Sequence, residues 1–115
     1  MLRGNHETSS LTRIYGFYDE VQKKYGNLNA WKKIVDTFNY LPLVTIVNNS
    51  LMCVHGGLSP NIPFVGEVDY IERVREIPET GNMCDLVWSD PDSSIENWSI
   101  SNRGAGYLFS HQITK

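Results

Sequence analysis

The chain has 115 residues, 41% of them apolar and 20% charged, with nine glycines and five prolines. That length allows one domain with one modest core, and the composition is that of an ordinary globular protein. Ten Lys and Arg against thirteen Asp and Glu give a formal net charge of −3, which argues against a nucleic-acid binder, because such a surface carries a basic patch to meet phosphates. The longest apolar stretches, residues 41–47 and 51–54, fall far short of the roughly 20 residues a membrane helix needs. The opening Met1-Leu2-Arg3-Gly4-Asn5-His6-Glu7 has no leader-like apolar segment, so the expected location is the cytoplasm, with the nucleus also open. Cys53 and Cys84 form no C-x-x-C pair; a zinc ribbon or disulfide framework is excluded, and buried free thiols are expected.

In chain order, Gly4-Asn5-His6-Glu7-Thr8-Ser9-Ser10 is polar and reads as a loop. From Thr12 to Tyr25 the second half is helical in pattern, with Phe17, Val21 and Tyr25 four residues apart and Lys23 and Lys24 in the last turn. Gly26-Asn27 ends it in the manner of a left-handed cap. Trp31, Ile34, Val35 and Phe38 predict a second helix, ending near Tyr40 because Pro42 disfavours helical geometry at Leu41. Residues 43–47 and 51–54 are short, apolar and largely β-branched; joined by Asn48-Asn49-Ser50, they predict a hairpin or two sequential strands inside a buried sheet. Val68, Ile71, Val74 and Ile77 predict a third helix over residues 65–77. Residues 85–88 form a short apolar piece, residues 89–97 are rich in turn formers, and Arg103-Gly104-Ala105-Gly106 leads into a last strand. The class is α/β or α+β.

Three polar segments can do chemistry. Asn5 offers an amide oxygen to a hard cation and His6 a ligand nitrogen or a proton, with Gly4 allowing close backbone approach. His55 is delivered by an apolar strand into Gly56-Gly57; its ordinary alternative is a core histidine bonded to a carbonyl. Arg103 sits on a Gly-rich loop suited to bidentate phosphate recognition, or is simply a surface arginine beside a turn. Trp31, Trp88 and Trp98 are expected as packing residues. The Asn48 and Asn97 sequons are expected to be unused.

Taken together, Leu2-Arg3-Gly4-Asn5-His6-Glu7, Tyr15-Gly16-Phe17-Tyr18-Asp19-Glu20, His55-Gly56-Gly57-Leu58-Ser59-Pro60, Trp88-Ser89-Asp90-Pro91 and Arg103-Gly104-Ala105-Gly106-Tyr107 resemble the phosphoprotein phosphatases in order and spacing. Tyr25-Gly26-Asn27 and Leu41-Pro42-Leu43 look closest to type 2A-like catalytic subunits, whereas Arg13-Ile14-Tyr15 looks more like the type 1 branch. The resemblance covers essentially the whole chain and implies part of a metallophosphoesterase β-sandwich flanked by helices. It implies protein-serine/threonine phosphatase activity with two divalent metal ions (manganese, iron or zinc). Asn5 and His55 would be ligands of one metal, His6 the general acid and Arg103 the phosphate clamp, with Arg13 and Asp90 near the substrate groove. Phosphoprotein substrates and regulatory or scaffold subunits are the implied partners.

The chain also departs from the pattern. An Asp-x-His and an Asp-x-x-Asp-Arg-Gly, which the family places before this region, are not in the sequence, nor is the family's last metal-binding histidine; His111 follows the Arg103 loop too soon for that role. Thr8-Ser9-Ser10 stands for Ser-Arg-Gln, Asn102 for Pro and Ser110 for Gly. Residues 1–115 are therefore expected to be a partial catalytic domain, inactive alone, with a non-catalytic interaction fragment as the alternative.

Overall fold

The computed structural model describes residues 1–114. Its N-terminal third is helical. The short α1 (Ser9–Ile14) is capped by Thr8, whose Oγ1 accepts the Leu11 N–H. Because α1 starts at Ser9, helix begins inside the segment 4–10 expected to be loop; helix α2 (Phe17–Tyr25) follows after a turn at Tyr15-Gly16. Asp19 and Glu20 lie in its first turn and Lys23 and Lys24 in its last, matching the helix dipole. Gly26 closes it at φ 68°, the left-handed cap the sequence called for. Asn27 then caps α3 (Leu28–Phe38) by accepting the Asn29 and Ala30 N–H groups. Val21, Trp31 and Val35 bury the interface between α2 and α3, with Phe17, Tyr18, Ile34 and Phe38 around them.

The predicted hairpin forms from β1 (Val44–Val47) and β2 (Leu51–Val54), paired antiparallel with Val44 opposite Val54 and Val47 opposite Leu51. Asn48 and Asn49 take φ of 51° and 53°, a left-handed pair that asparagine tolerates and that matches strand twist. It is not inside a buried sheet, however. Ile46 and Val47 are each 42% exposed and Leu51 59%. Only the base of the ribbon, Val44 and Val54, packs on a core. Two strands alone cover neither face of one another, so hydrophobic sequence does not guarantee burial here.

The expected third helix is also corrected. Residues Val65–Tyr70 form a 3₁₀ helix, and Ile71 at ψ 118° is already extended. Of the four residues spaced by three only Val68 lies in it, and a run of threes without a fourth-residue step drifts off one face of a 3.6-residue helix. Helix α4 (Asn82–Trp88) takes in the short apolar piece and buries five consecutive residues, Met83 to Val87. Leu43, Met83, Leu86 and Val87 make the second core, against which Val54, Ile62, Ile71, Ile77 and Trp88 pack.

A three-stranded sheet closes the chain, ordered β3 (Asp90–Pro91), β5 (Tyr107–Phe109), β4 (Trp98–Ile100). Strand β5 runs parallel to β3 and antiparallel to β4. Strand β5 was expected; β3 and β4 lie in and just after a stretch whose turn formers hid them. Trp98 packs on Tyr107 and Phe109, and Trp31 is buried, so those two tryptophans pack, as Trp88 does against the second core. Cys84 is buried, whereas Cys53 is only half-buried on the hairpin. The radius of gyration is 15.7 Å, against about 13 Å for a compact domain of about this size. The molecule is therefore elongated, with extents of 49 × 31 × 21 Å.

Candidate metal and phosphate site

The loop carrying Asn5 and His6 is fixed by the residue before it. Arg3 is fully buried. Its Nε donates to the Glu7 carbonyl at 3.1 Å, Nη1 to Arg75 at 2.7 Å and Nη2 to Asn39 Oδ1 at 2.9 Å. Its backbone N–H donates to Pro42. Burial pulls the guanidinium pKa down while Glu76 and Glu7 push it up. One side chain thus ties the loop to the end of α3 and to the segment after the 3₁₀ helix. Glu7 completes the turn by accepting the Gly4 N–H at 2.8 Å.

The second loop leaves β2. His55 Nε2 lies 3.2 Å from Asn5 Oδ1, across fifty residues of sequence. Gly4 makes this approach possible, since a Cβ there would lie 2.8 Å from the His55 ring. Ordinary metal–ligand bonds of about 2.1 Å at adjacent octahedral corners put two donor atoms about 3.0 Å apart. The pair therefore fits neighbouring ligands of one divalent ion. Among the described residues, no group of three or more His, Cys, Asp or Glu could hold a metal, so this corner offers part of a coordination sphere. The reading of His55 as a core histidine is overturned: it is exposed, and its partner is a side-chain amide.

His6 is exposed on the same loop, its ring centroid 4.7 Å from that of Tyr15. Arg103 occupies the tip of a turn in which its N–H donates to Ser101 Oγ at 3.2 Å. Its Nε pairs with Asp90 Oδ2 at 2.9 Å and its Nη2 donates to Asp90 Oδ1 at 3.5 Å, so Asp90 engages the Nε side of the planar fork and the half-exposed guanidinium keeps its Nη1 donors for an anion. Asp90 and Arg103, assigned separately from sequence, are thus one unit. The first loop and the Arg103 turn share a cavity of about 270 Å³, lined by Asn5, Thr8, Cys84, Trp88, Gly104 and Ala105 among others. A larger cavity of about 540 Å³, along Glu67, Tyr70, Ile71 and Arg75, contains none of the candidate site residues. Arg13 lies elsewhere in its contacts: its guanidinium stacks 4.8 Å from the Tyr18 ring and 4.5 Å from the Trp31 ring. His111 is exposed just beyond β5, as expected.

Four residues have supporting roles that their sequence motifs do not reveal: Arg3, Glu7, Asp85 and Ser89. Asp85 is buried and accepts the Ser59 hydroxyl at 2.6 Å. Burial drives its carboxyl pKa up, and that hydrogen bond opposes the rise. A lone carboxylate inside the apolar run Met83 to Trp88 is a legible signal for a buried, hydrogen-bonded acid. Nothing in the pattern marks Arg3 as buried.

The chain is similar to the serine/threonine-protein phosphatase 4 catalytic subunits of Kluyveromyces lactis and Saccharomyces cerevisiae, each 55% identical over 109 residues, or 95% of this chain. It is 49% identical over 114 residues to the serine/threonine-protein phosphatase ppe1 of Schizosaccharomyces pombe. The chain spans 35–37% of the length of these relatives. Among solved structures, a protein serine/threonine phosphatase from Saccharomyces cerevisiae with similarity to human phosphatase PP5 superposes with a TM-score of 0.89 at 33% identity. That match covers 98% of this chain and 35% of the other. The family model for the calcineurin-like phosphoesterases matches residues 1–115, and with the fold agreeing across the chain, this protein belongs to that family.

Proposed function

We propose that residues 1–115 supply part of the centre of a protein-serine/threonine phosphatase, hydrolysing phosphoserine and phosphothreonine in phosphoproteins. The observation that carries this reading is the 3.2 Å convergence of Asn5 and His55, two donors of the right chemistry on loops fifty residues apart. The phosphatase relatives support it.

In this reading Asn5 and His55 hold one of two divalent ions, with manganese, iron and zinc all compatible with an amide oxygen and an imidazole. When bound, the ions supply an activated water and neutralise charge on the phosphoryl group. The chain's own residues do the remainder. His6, on the loop that carries Asn5, donates a proton to the leaving serine or threonine oxygen, which would otherwise depart as a strongly basic alkoxide. Arg103 binds phosphoryl oxygens through its Nη1 donors, and Asp90 fixes the guanidinium plane from the Nε side. Arg13, held on two aromatic rings, contributes to the groove only through its surface charge. Regulatory or scaffold subunits that select the substrate, and a cytoplasmic or nuclear location, complete the proposal.

A second reading is favoured by the two-donor count at this corner: residues 1–115 by themselves act as a non-catalytic interaction fragment. Both are tested with the protein as its gene encodes it, including whatever flanks these residues, and with residues 1–115 alone. Manganese-dependent release of phosphate from a phosphothreonine peptide by the former supports the phosphatase; its absence there supports the second reading. The isolated 115 residues are expected to be inactive and to aggregate on gel filtration, given the exposed hairpin faces and unpaired strand edges.

A further inference from the structure

Both candidate loops rest on one short piece of backbone. Gly56, beside His55, lies so close to α4 that a Cβ there would come within 2.6 Å of Val87 and 2.7 Å of Trp88 backbone atoms. Its N–H donates to the Leu86 carbonyl at 3.0 Å. Gly106, three residues beyond Arg103, meets the next peptide, where a Cβ would lie 2.7 Å from Trp88 C and from Ser89 N.

Two side chains fasten these contacts, one for each loop. The Ser59 hydroxyl donates to Asp85 at 2.6 Å and closes the far end of the His55 loop. Ser89 is fully buried, and its Oγ accepts the Tyr107 N–H at 3.0 Å, closing the far end of the Arg103 turn. Asp85 and Ser89 are themselves linked, since the Ser89 N–H donates to the Asp85 carbonyl at 2.9 Å.

We propose that Asp85 and Ser89 are positioning residues that set the two loops separately: Asp85, through Ser59, places His55, and Ser89, through Tyr107, places Arg103. The proposal rests on the phosphatase reading and deepens it. Each acts through a single hydrogen bond, buried between Ser59 and Asp85 and part-buried between Tyr107 and the fully buried Ser89, whose loss leaves a shielded polar group without its partner. The loop must then shift to find one. A shift of the His55 loop disturbs metal binding, whereas a shift of the Arg103 turn disturbs phosphate recognition.

The test uses the protein as its gene encodes it and reads two quantities. Manganese affinity is measured by calorimetric titration without substrate, and KM and kcat on a phosphothreonine peptide at saturating manganese. Ser59→Ala is expected to weaken manganese binding about tenfold, the worth of one buried hydrogen bond, with KM changed by less than about twofold. Asp85→Asn, which keeps an acceptor for Ser59, is expected to bind manganese as wild type does. Ser89→Ala is expected to raise KM about tenfold, the cost of one hydrogen bond, while leaving manganese affinity alone. In an Arg103→Ala background it should add nothing further. If Ser89→Ala does not fold, Ser89→Cys, similar in size and a weaker acceptor, carries the same comparison.

Parallel movement of both quantities in either variant overturns the proposal, because a merely structural role has no reason to separate them. So does an additive effect of Ser89→Ala on Arg103→Ala. A wild-type protein that neither binds manganese nor hydrolyses the peptide, with His55→Ala and Arg103→Ala silent, overturns the phosphatase reading itself and this proposal with it.

Discussion

The proposed site has two corners built on different principles. At the Asn5–His55 corner the functional loop is held from beneath by a buried cation with three strong acceptors, and a missing Cβ at Gly4 admits the histidine. At the Arg103 corner the candidate guanidinium is itself the surface group, 56% exposed and paired with a partner 37% exposed. Metal ligands must be prearranged to within tenths of an ångström, so their support is buried. A phosphate clamp has to accept a ligand arriving from water, so its charge stays wet and its ion pair adjustable. Buried support is expensive to break; an exposed ion pair is not.

The largest contrast is expected inside the first corner. In the active protein, His6→Ala should lower kcat by about 10²–10⁴, the usual worth of a general acid, while manganese content by elemental analysis stays unchanged. His55→Ala should lose metal first. Metal loss in the His6 variant would assign that residue to coordination instead.

Next comes the support. Arg3→Met fills much of the same volume but leaves the Glu7 and Arg75 carbonyls and Asn39 Oδ1 without their donor. The three bonds are part-buried, so their acceptors are only partly shielded from water; at about 0.5–1.5 kcal/mol for each lost hydrogen bond, a loss of about 2–3 kcal/mol is expected in urea unfolding, with the midpoint moved and the slope retained. A change below about 1 kcal/mol would mean that water reaches the Arg3 site.

At the other corner the expected effects are smaller and fall on substrate rather than stability. Arg103→Lys replaces a planar fork with a point charge, so KM should rise, with kcat also lowered if the clamp tightens in the transition state. Wild-type kinetics in this variant would make Arg103 an ordinary surface residue. The smallest effect belongs to Asp90→Asn: removing an exposed ion pair should shift stability by about 1 kcal/mol or less, and less again in high salt. A shift as large as that of Arg3→Met would erase the distinction between the corners.

Local sequence made the helices and the hairpin legible. Phe17, Val21 and Tyr25, then Trp31, Ile34, Val35 and Phe38, mark faces that recur every turn; Gly26 marks the stop and Asn48-Asn49 the turn. These features act over a few residues, where propensity and periodicity suffice. The same logic failed at residues 65–77, where threefold spacing mimicked a helix, and at β3 and β4, whose two- and three-residue strands exist only because β5 lies between them. Asn5, His6, His55 and Arg103 stand out in the sequence as candidates because loops positioned by a rigid scaffold are where binding and catalytic side chains concentrate.

Pairing was decided only in three dimensions. Nothing local joins Asn5 to His55, Asp90 to Arg103 or Ser59 to Asp85, because each pair spans between 13 and 50 residues. Burial was decided there too. Arg3 carries a full positive charge and is among the least exposed residues, while Ile46, Val47 and Leu51 are apolar and stand partly in solvent. A side chain's chemistry is written in the sequence, but its surroundings depend on which segments arrive against it. For a loop of backbone carbonyls the best visitor is a guanidinium; for a two-stranded ribbon none of the described segments arrives to cover the outer end.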